Sequence, residues 1–87
     1  MSPLSARDCT EVRKILSGKG LGVRYRDLAR FFRRADCRAP ASKRGSHRVW
    51  VHPSGTRLQL KDDGSRELLP AYVKDALTKL ATAEGCP

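Results

Sequence analysis

Between Arg48 and Lys61 the chain repeats with a period of two, and no other stretch limits the possible folds as tightly. Val49 and Val51 alternate with Arg48, Trp50 and His52, while Thr56, Leu58 and Leu60 alternate with Arg57, Gln59 and Lys61. Residues two apart share a face of a strand, and Pro53-Ser54-Gly55 between the two runs supplies turn chemistry, so a β-hairpin is predicted. Parity places His47 with Val49 and Val51 on the core face, with His47 at the open rim as the first strand residue. A third strand is expected over Arg38 to Lys43, at an edge because Pro40 cannot donate to an interior ladder.

On both sides of the hairpin the period becomes helical. Cys9, Val12, Ile15 and Leu16 form one stripe behind Ser5, which suits an N-cap. Gly18, Gly20 and Gly22 end that helix as a turn and linker. They are not a phosphate loop, because no Gly-Lys-Ser/Thr closes the motif and no apolar strand precedes it. From Arg24 to Ala35 a second stripe contains Tyr25, Leu28, Phe31, Phe32 and Ala35, with Arg26, Arg30, Arg33 and Arg34 on the other faces and Asp36 and Pro40 as stops. Pro70 opens a third helix through Val73, Ala76, Leu77, Leu80 and Ala81, ended by Gly85 and Pro87.

The expected fold is therefore α+β, with a three-stranded antiparallel sheet, two helices on one of its faces and an extra N-terminal helix. Residues 1–23 form the extension, 24–83 the main domain and 84–87 a tail. At 87 residues there is room for one thin core. The apolar runs are far too short to cross a bilayer, and Met1 to Ser17 mixes charge into every turn instead of forming a leader, so a cytoplasmic protein is expected.

Charge narrows the function. The net charge of +9 lies wholly in residues 1–48, which hold 13 Lys and Arg against 4 Asp and Glu, whereas residues 49–87 balance at five each. Such asymmetry suits a binder of phosphate backbones; the other readings of it are solubility alone, or attraction to an acidic protein or an anionic membrane. Cys9, Cys37 and Cys86 are odd in number and widely spaced, with no paired spacing for zinc. Cys37 is expected to pack as a small apolar residue and Cys86 to lie in a fraying tail.

Chemistry concentrates in Lys43-Arg44-Gly45-Ser46-His47-Arg48, where a glycine turn delivers a histidine to the start of a strand among three cations. Imidazole is the side chain suited to exchanging a proton near neutral pH. Lys43, Arg44 and Arg48 are suited to holding a phosphate, Gly45 admits its close approach, and Ser46 orients the histidine or caps the turn. Trp50, on the face opposite Val49, reads as a stacking platform for bases, as a partner contact, or as a sheet residue packed on the core. His52, in a His-Pro-x-Gly turn, reads as structural, with proton donation as the alternative.

The helix ending near Ala35, Lys43-Arg44-Gly45-Ser46-His47, His52-Pro53-Ser54-Gly55 and Glu67-Leu68 before Pro70 are collinear with a known pattern. From about Arg24 to Ala81 the chain resembles the HicA mRNA interferase toxins of type II toxin–antitoxin pairs. The resemblance implies a fold like that of double-stranded-RNA-binding domains, a catalytic histidine at His47, and a HicB-type antitoxin that masks it, with Trp50 and Arg48 as contacts. Lys43, Arg44, Gly45, Ser46, Arg48, Arg30 and Arg34 would hold RNA. Where relatives often show a proline and a second histidine, this chain reads Lys61-Asp62-Asp63-Gly64.

The expected activity is thus metal-independent, cofactor-free cleavage of mRNA, in which His47 draws the proton from the 2′-hydroxyl of the substrate, a route closed to DNA. The leading alternative is a noncatalytic double-stranded-RNA-binding module. Two others are a helix-turn-helix DNA binder using Arg24 to Arg34, and a protein-interaction partner that has lost nuclease activity. Neither DNA binding by the chain itself nor membrane association is expected.

Overall fold

A computed structural model describes residues 4–41, 45–64 and 66–87. The chain runs α1 (Ala6–Ser17), α2 (Tyr25–Arg34), β1 (His47–Val51), β2 (Arg57–Lys61) and α3 (Pro70–Glu84), a small α+β protein of three helices and an antiparallel hairpin. No helix is long and apolar enough to cross a membrane.

The hairpin register pairs Arg48 with Leu60 and Trp50 with Leu58, and this pairing decides which face is covered. Leu58 and Leu60 are fully buried against α3, so Trp50 is carried inward with them. It is 2% exposed, tilts against Phe32 with ring centroids 5.4 Å apart, and donates Nε1–H to Tyr25 Oη at 2.9 Å. The parity expected from β1 alone is therefore reversed. Trp50 faces the core, and His47, Val49 and Val51 face outward. Each large apolar side chain fully buried is worth about 1.5 to 3 kcal/mol, which favours enclosing tryptophan over two valines.

The third strand expected over Arg38 to Lys43 does not form among the described residues: an isolated bridge at Arg38 stands in its place, and Ala39–Ala41 are not in a strand. Arg38 N–H donates to Val51 O at 2.8 Å and Val51 N–H to Arg38 O at 3.1 Å. Ser42 and Lys43, the last residues of that segment, lie outside the described residues, as does Arg44.

Two of the helices end in tight reversals. Helix α2 stops because Asp36 takes a left-handed conformation (φ 57°), returning the Cys37 N–H to Phe32 O at 2.9 Å. Cys37 is consequently buried, as expected of it, and burial, Glu84 and Asp36 push its thiol up to about 11, which keeps it protonated at neutral pH. At the end of α3 the same motif uses Gly85 (φ 68°), and the Cys86 N–H reaches Ala81 O at 2.9 Å.

This second reversal corrects the expectation of a fraying tail. Cys86 is buried and forms a disulfide with Cys9 of α1, and Arg13 donates to the carbonyls of Cys86 and Pro87 at 2.9 and 2.6 Å. Helix α1 packs on α3, so the extension is core cover, with Val12 fully buried.

Asp8 joins α1 to α2. Its N–H donates to Ser5 Oγ at 3.0 Å, its Oδ2 accepts from the Ser5 N–H at 3.3 Å, and its Oδ1 takes the Arg34 guanidinium at 2.7 Å. Burial alone pushes this carboxyl up. The Ser5 hydrogen bonds and the Arg34 hydrogen bond and charge outweigh it, holding the carboxyl below the usual aspartate range. Because the folded value is the lower, the carboxylate contributes stability above the unfolded value of about 3.9, and that contribution disappears as pH falls through the folded value. Asp8→Asn is expected to cost about 1 to 2 kcal/mol at pH 7, with the gap from wild type closing in acid denaturant titrations; a gap unchanged down to pH 2 would contradict this.

Candidate nucleic-acid interface

The outward face of the hairpin forms the site. Alternation brings His47, Val49 and Val51 of β1 beside Lys61, Gln59 and Arg57 of β2, in the register His47 with Lys61, Val49 with Gln59 and Val51 with Arg57. Arg38 enters from the other edge through its bridge to Val51. A groove of about 360 Å³ runs over this face, floored by Val49 and Val51, walled by Ala39–Ala41, with His47 exposed and with Arg38 and Arg57 along it.

The turn leading into β1 is fixed by its own residues. Gly45 is left-handed (φ 68°), and among the described residues beyond its chain neighbours nothing stands within 4 Å of where a side chain would be, which leaves its backbone approachable from that side. Arg48, on the opposite face from His47, folds back so that Nη1 donates to Gly45 O at 2.7 Å and His47 O at 3.1 Å. Ser46 O accepts from the Asp62 N–H at 2.7 Å, tying the turn to the end of β2. His47 is thus held by its backbone while its ring remains in solvent. That combination suits proton transfer to a bound molecule, with the arginines and Lys61 placed to take phosphate oxygens.

The other expected site residues are spread more widely. Lys43 and Arg44 lie outside the described residues. Arg34 is engaged by Asp8, and Arg30 lies over the Phe31 ring at 5.4 Å; both line a hollow between α1 and α2 rather than the His47 groove. Trp50, expected as a base-stacking platform, an antitoxin contact or a packed sheet residue, takes the last of these places and is buried in the core. Its indole is covered by Phe32, and the Arg33 guanidinium lies 5.5 Å from the ring centroid.

His52 is structural. Its Nδ1 accepts from the Ser54 N–H at 3.0 Å, which leaves the ring proton on Nε2, donated to the Glu84 carboxylate near the end of α3. Both side chains are buried, so this histidine locks the hairpin turn to α3 and meets no solvent substrate.

Arg38, Arg57 and Lys61 were not singled out from sequence. The signal was available for two of them. Leu58 and Leu60 must face inward, so Arg57, Gln59 and Lys61 must face out, and the register across Pro53-Ser54-Gly55 then places His47 among them. Among the described residues no cluster of three or more His, Cys, Asp or Glu gathers in a way that could hold a metal ion. No protein-family model matches the chain, and neither a curated protein nor a solved structure does.

Proposed function

We propose that this protein is an endoribonuclease acting on mRNA, the toxin half of a toxin–antitoxin pair of the HicA kind, with His47 as general base. The observation that carries the reading is the exposed imidazole on a cationic sheet face, above a turn open to a phosphate. His47 takes the proton of a ribose 2′-hydroxyl, and the freed 2′-oxygen attacks the adjacent phosphorus. The 5′-oxygen leaves and takes a proton from water, while His47 returns its own to solvent, so the products are a 2′,3′-cyclic phosphate and a 5′-hydroxyl. Lys61, Arg57 and Arg38 neutralise the phosphate oxygens as charge builds on them.

The finer reading of the fold belongs to this proposal. The Arg38–Val51 bridge is the start of a third strand, giving the sheet of a double-stranded-RNA-binding domain. A HicB-type antitoxin with acidic groups would cover the same groove, in the cytoplasm. A disulfide persists in oxidising surroundings, so in a reducing cytosol Cys9 and Cys86 would stand as paired thiols on the same packed surface.

The covered inner face and basic outer face equally favour a noncatalytic RNA-binding module, and one substitution separates the two. His47→Ala is expected to retain RNA affinity while cleavage falls by about 10² to 10⁴-fold and growth inhibition disappears. The measurements are transcript integrity and cell growth after induced expression. Equal behaviour of wild type and variant would leave the binding module as the function. The helix-turn-helix alternative lacks its recognition helix, because the element after α2 is the hairpin.

A further inference from the structure

A second groove, of about 380 Å³, lies across the Ala39–Pro40 wall from His47, and Arg33, Arg48 and Tyr25 face into it. We infer that this groove binds a second phosphodiester of the RNA strand cut at His47; the inference rests on the proposed nuclease reading for its ligand but on separate residues for its chemistry.

Three donors are prepared there. Arg33 is held over Trp50 by a ring contact and has no carboxylate partner among the described residues, in contrast to Arg34 one position along. Arg48 uses Nη1 for the Gly45 and His47 carbonyls, which leaves its Nε and Nη2 hydrogens for a ligand. Tyr25 Oη already accepts from Trp50 Nε1, so its own hydrogen is free to be donated. Two guanidinium groups with a phenol match the oxygens of a phosphodiester. Among the described residues Asp62 is the one carboxylate lining the groove, against the two guanidinium groups of Arg33 and Arg48.

The two grooves share a wall. Ala39 and Pro40 line both, and Arg48 reaches from the second groove to the carbonyl of His47. A strand crossing that wall places one phosphate at the arginine pair and another at the imidazole. Of the α2 arginines, Arg33 therefore serves RNA, while Arg30 and Arg34 face the hollow beside α1.

Trp50 is the only tryptophan of the chain and contacts both Arg33 and Tyr25, so its emission reports on the groove. The titrant is a short single-stranded RNA carrying 2′-O-methyl ribose throughout, which cannot be cleaved by this route. Binding is expected to change Trp50 emission. Arg33→Gln is expected to weaken it about tenfold and lower the slope of log affinity against log salt by about 0.7, the value for one single-strand phosphate. Asp62→Asn is expected to tighten binding several-fold, a gain that misfolding cannot produce. Affinities within twofold of wild type for both variants would overturn the subsite, as would equal affinity for inorganic phosphate and the oligonucleotide. Loss of cleavage in His47→Ala alongside insensitivity to Arg33 and Asp62 would remove the subsite and spare the nuclease. Unaltered cleavage in His47→Ala with the Arg33 and Asp62 effects intact would do the reverse.

Discussion

Cys9→Ser is expected to lower the unfolding free energy by about 4.5 kcal/mol under oxidising conditions, the loop-closure value for a crosslink spanning 77 residues. Nearly the whole chain lies inside this loop, so the crosslink restricts almost the entire unfolded ensemble. For a domain whose total stability is in the range of about 5 to 15 kcal/mol, that is a large share. The check is urea unfolding of wild type with and without dithiothreitol, beside Cys9→Ser and Cys86→Ser. The two variants and the reduced wild type should fall together, well below the oxidised protein. Coincidence of all four curves would show that the crosslink contributes nothing. The Arg13 hydrogen bonds to the Cys86 and Pro87 carbonyls hold the same end of the chain, so some docking of the C-terminus should outlast reduction.

A loss of about 3 kcal/mol is expected for Glu84→Ala, the second large effect. The carboxylate accepts the buried Nε2–H of His52 and the Leu4 N–H at 3.3 Å, and alanine leaves those donors without it. Glu84→Gln retains an oxygen acceptor and should cost about 1 kcal/mol. The double substitution His52→Ala with Glu84→Ala should cost clearly less than the sum of the single ones, because the two groups act as one unit. Strict additivity in denaturant unfolding would sink the claim that His52 is a lock between the hairpin turn and α3. The same experiment bears on function, since nuclease activity in a folded His52 variant separates this buried histidine from the exposed His47.

The periodicities placed every helix and both strands close to where they stand, because each element's own residues carry the required pattern. Ser5, Pro70 and Gly85 are local signals acting within one turn of a helix, and they needed no neighbour to be read. The face of β1 was a different matter. Alternation divides His47, Val49 and Val51 from Arg48 and Trp50, but which set turns inward depends on the strand opposite. That strand brings Leu58 against Trp50 and Leu60 against Arg48. Once Trp50 is enclosed, the proposed RNA contact rests on Arg33 and Tyr25 instead, and a reading of α2 alone cannot distinguish Arg33 from Arg30 and Arg34.

By itself the sequence determined a basic α+β chain with a histidine delivered by a glycine turn to the start of a strand, since composition and short-range spacing are properties of consecutive residues. Only the tertiary structure decided that His47 faces solvent among Arg38, Arg57 and Lys61, that His52 is held by Glu84, and that Cys86 returns to Cys9. Those partners stand 9 to 77 positions apart along the chain and meet only when the core closes around Trp50, Leu58 and Phe32.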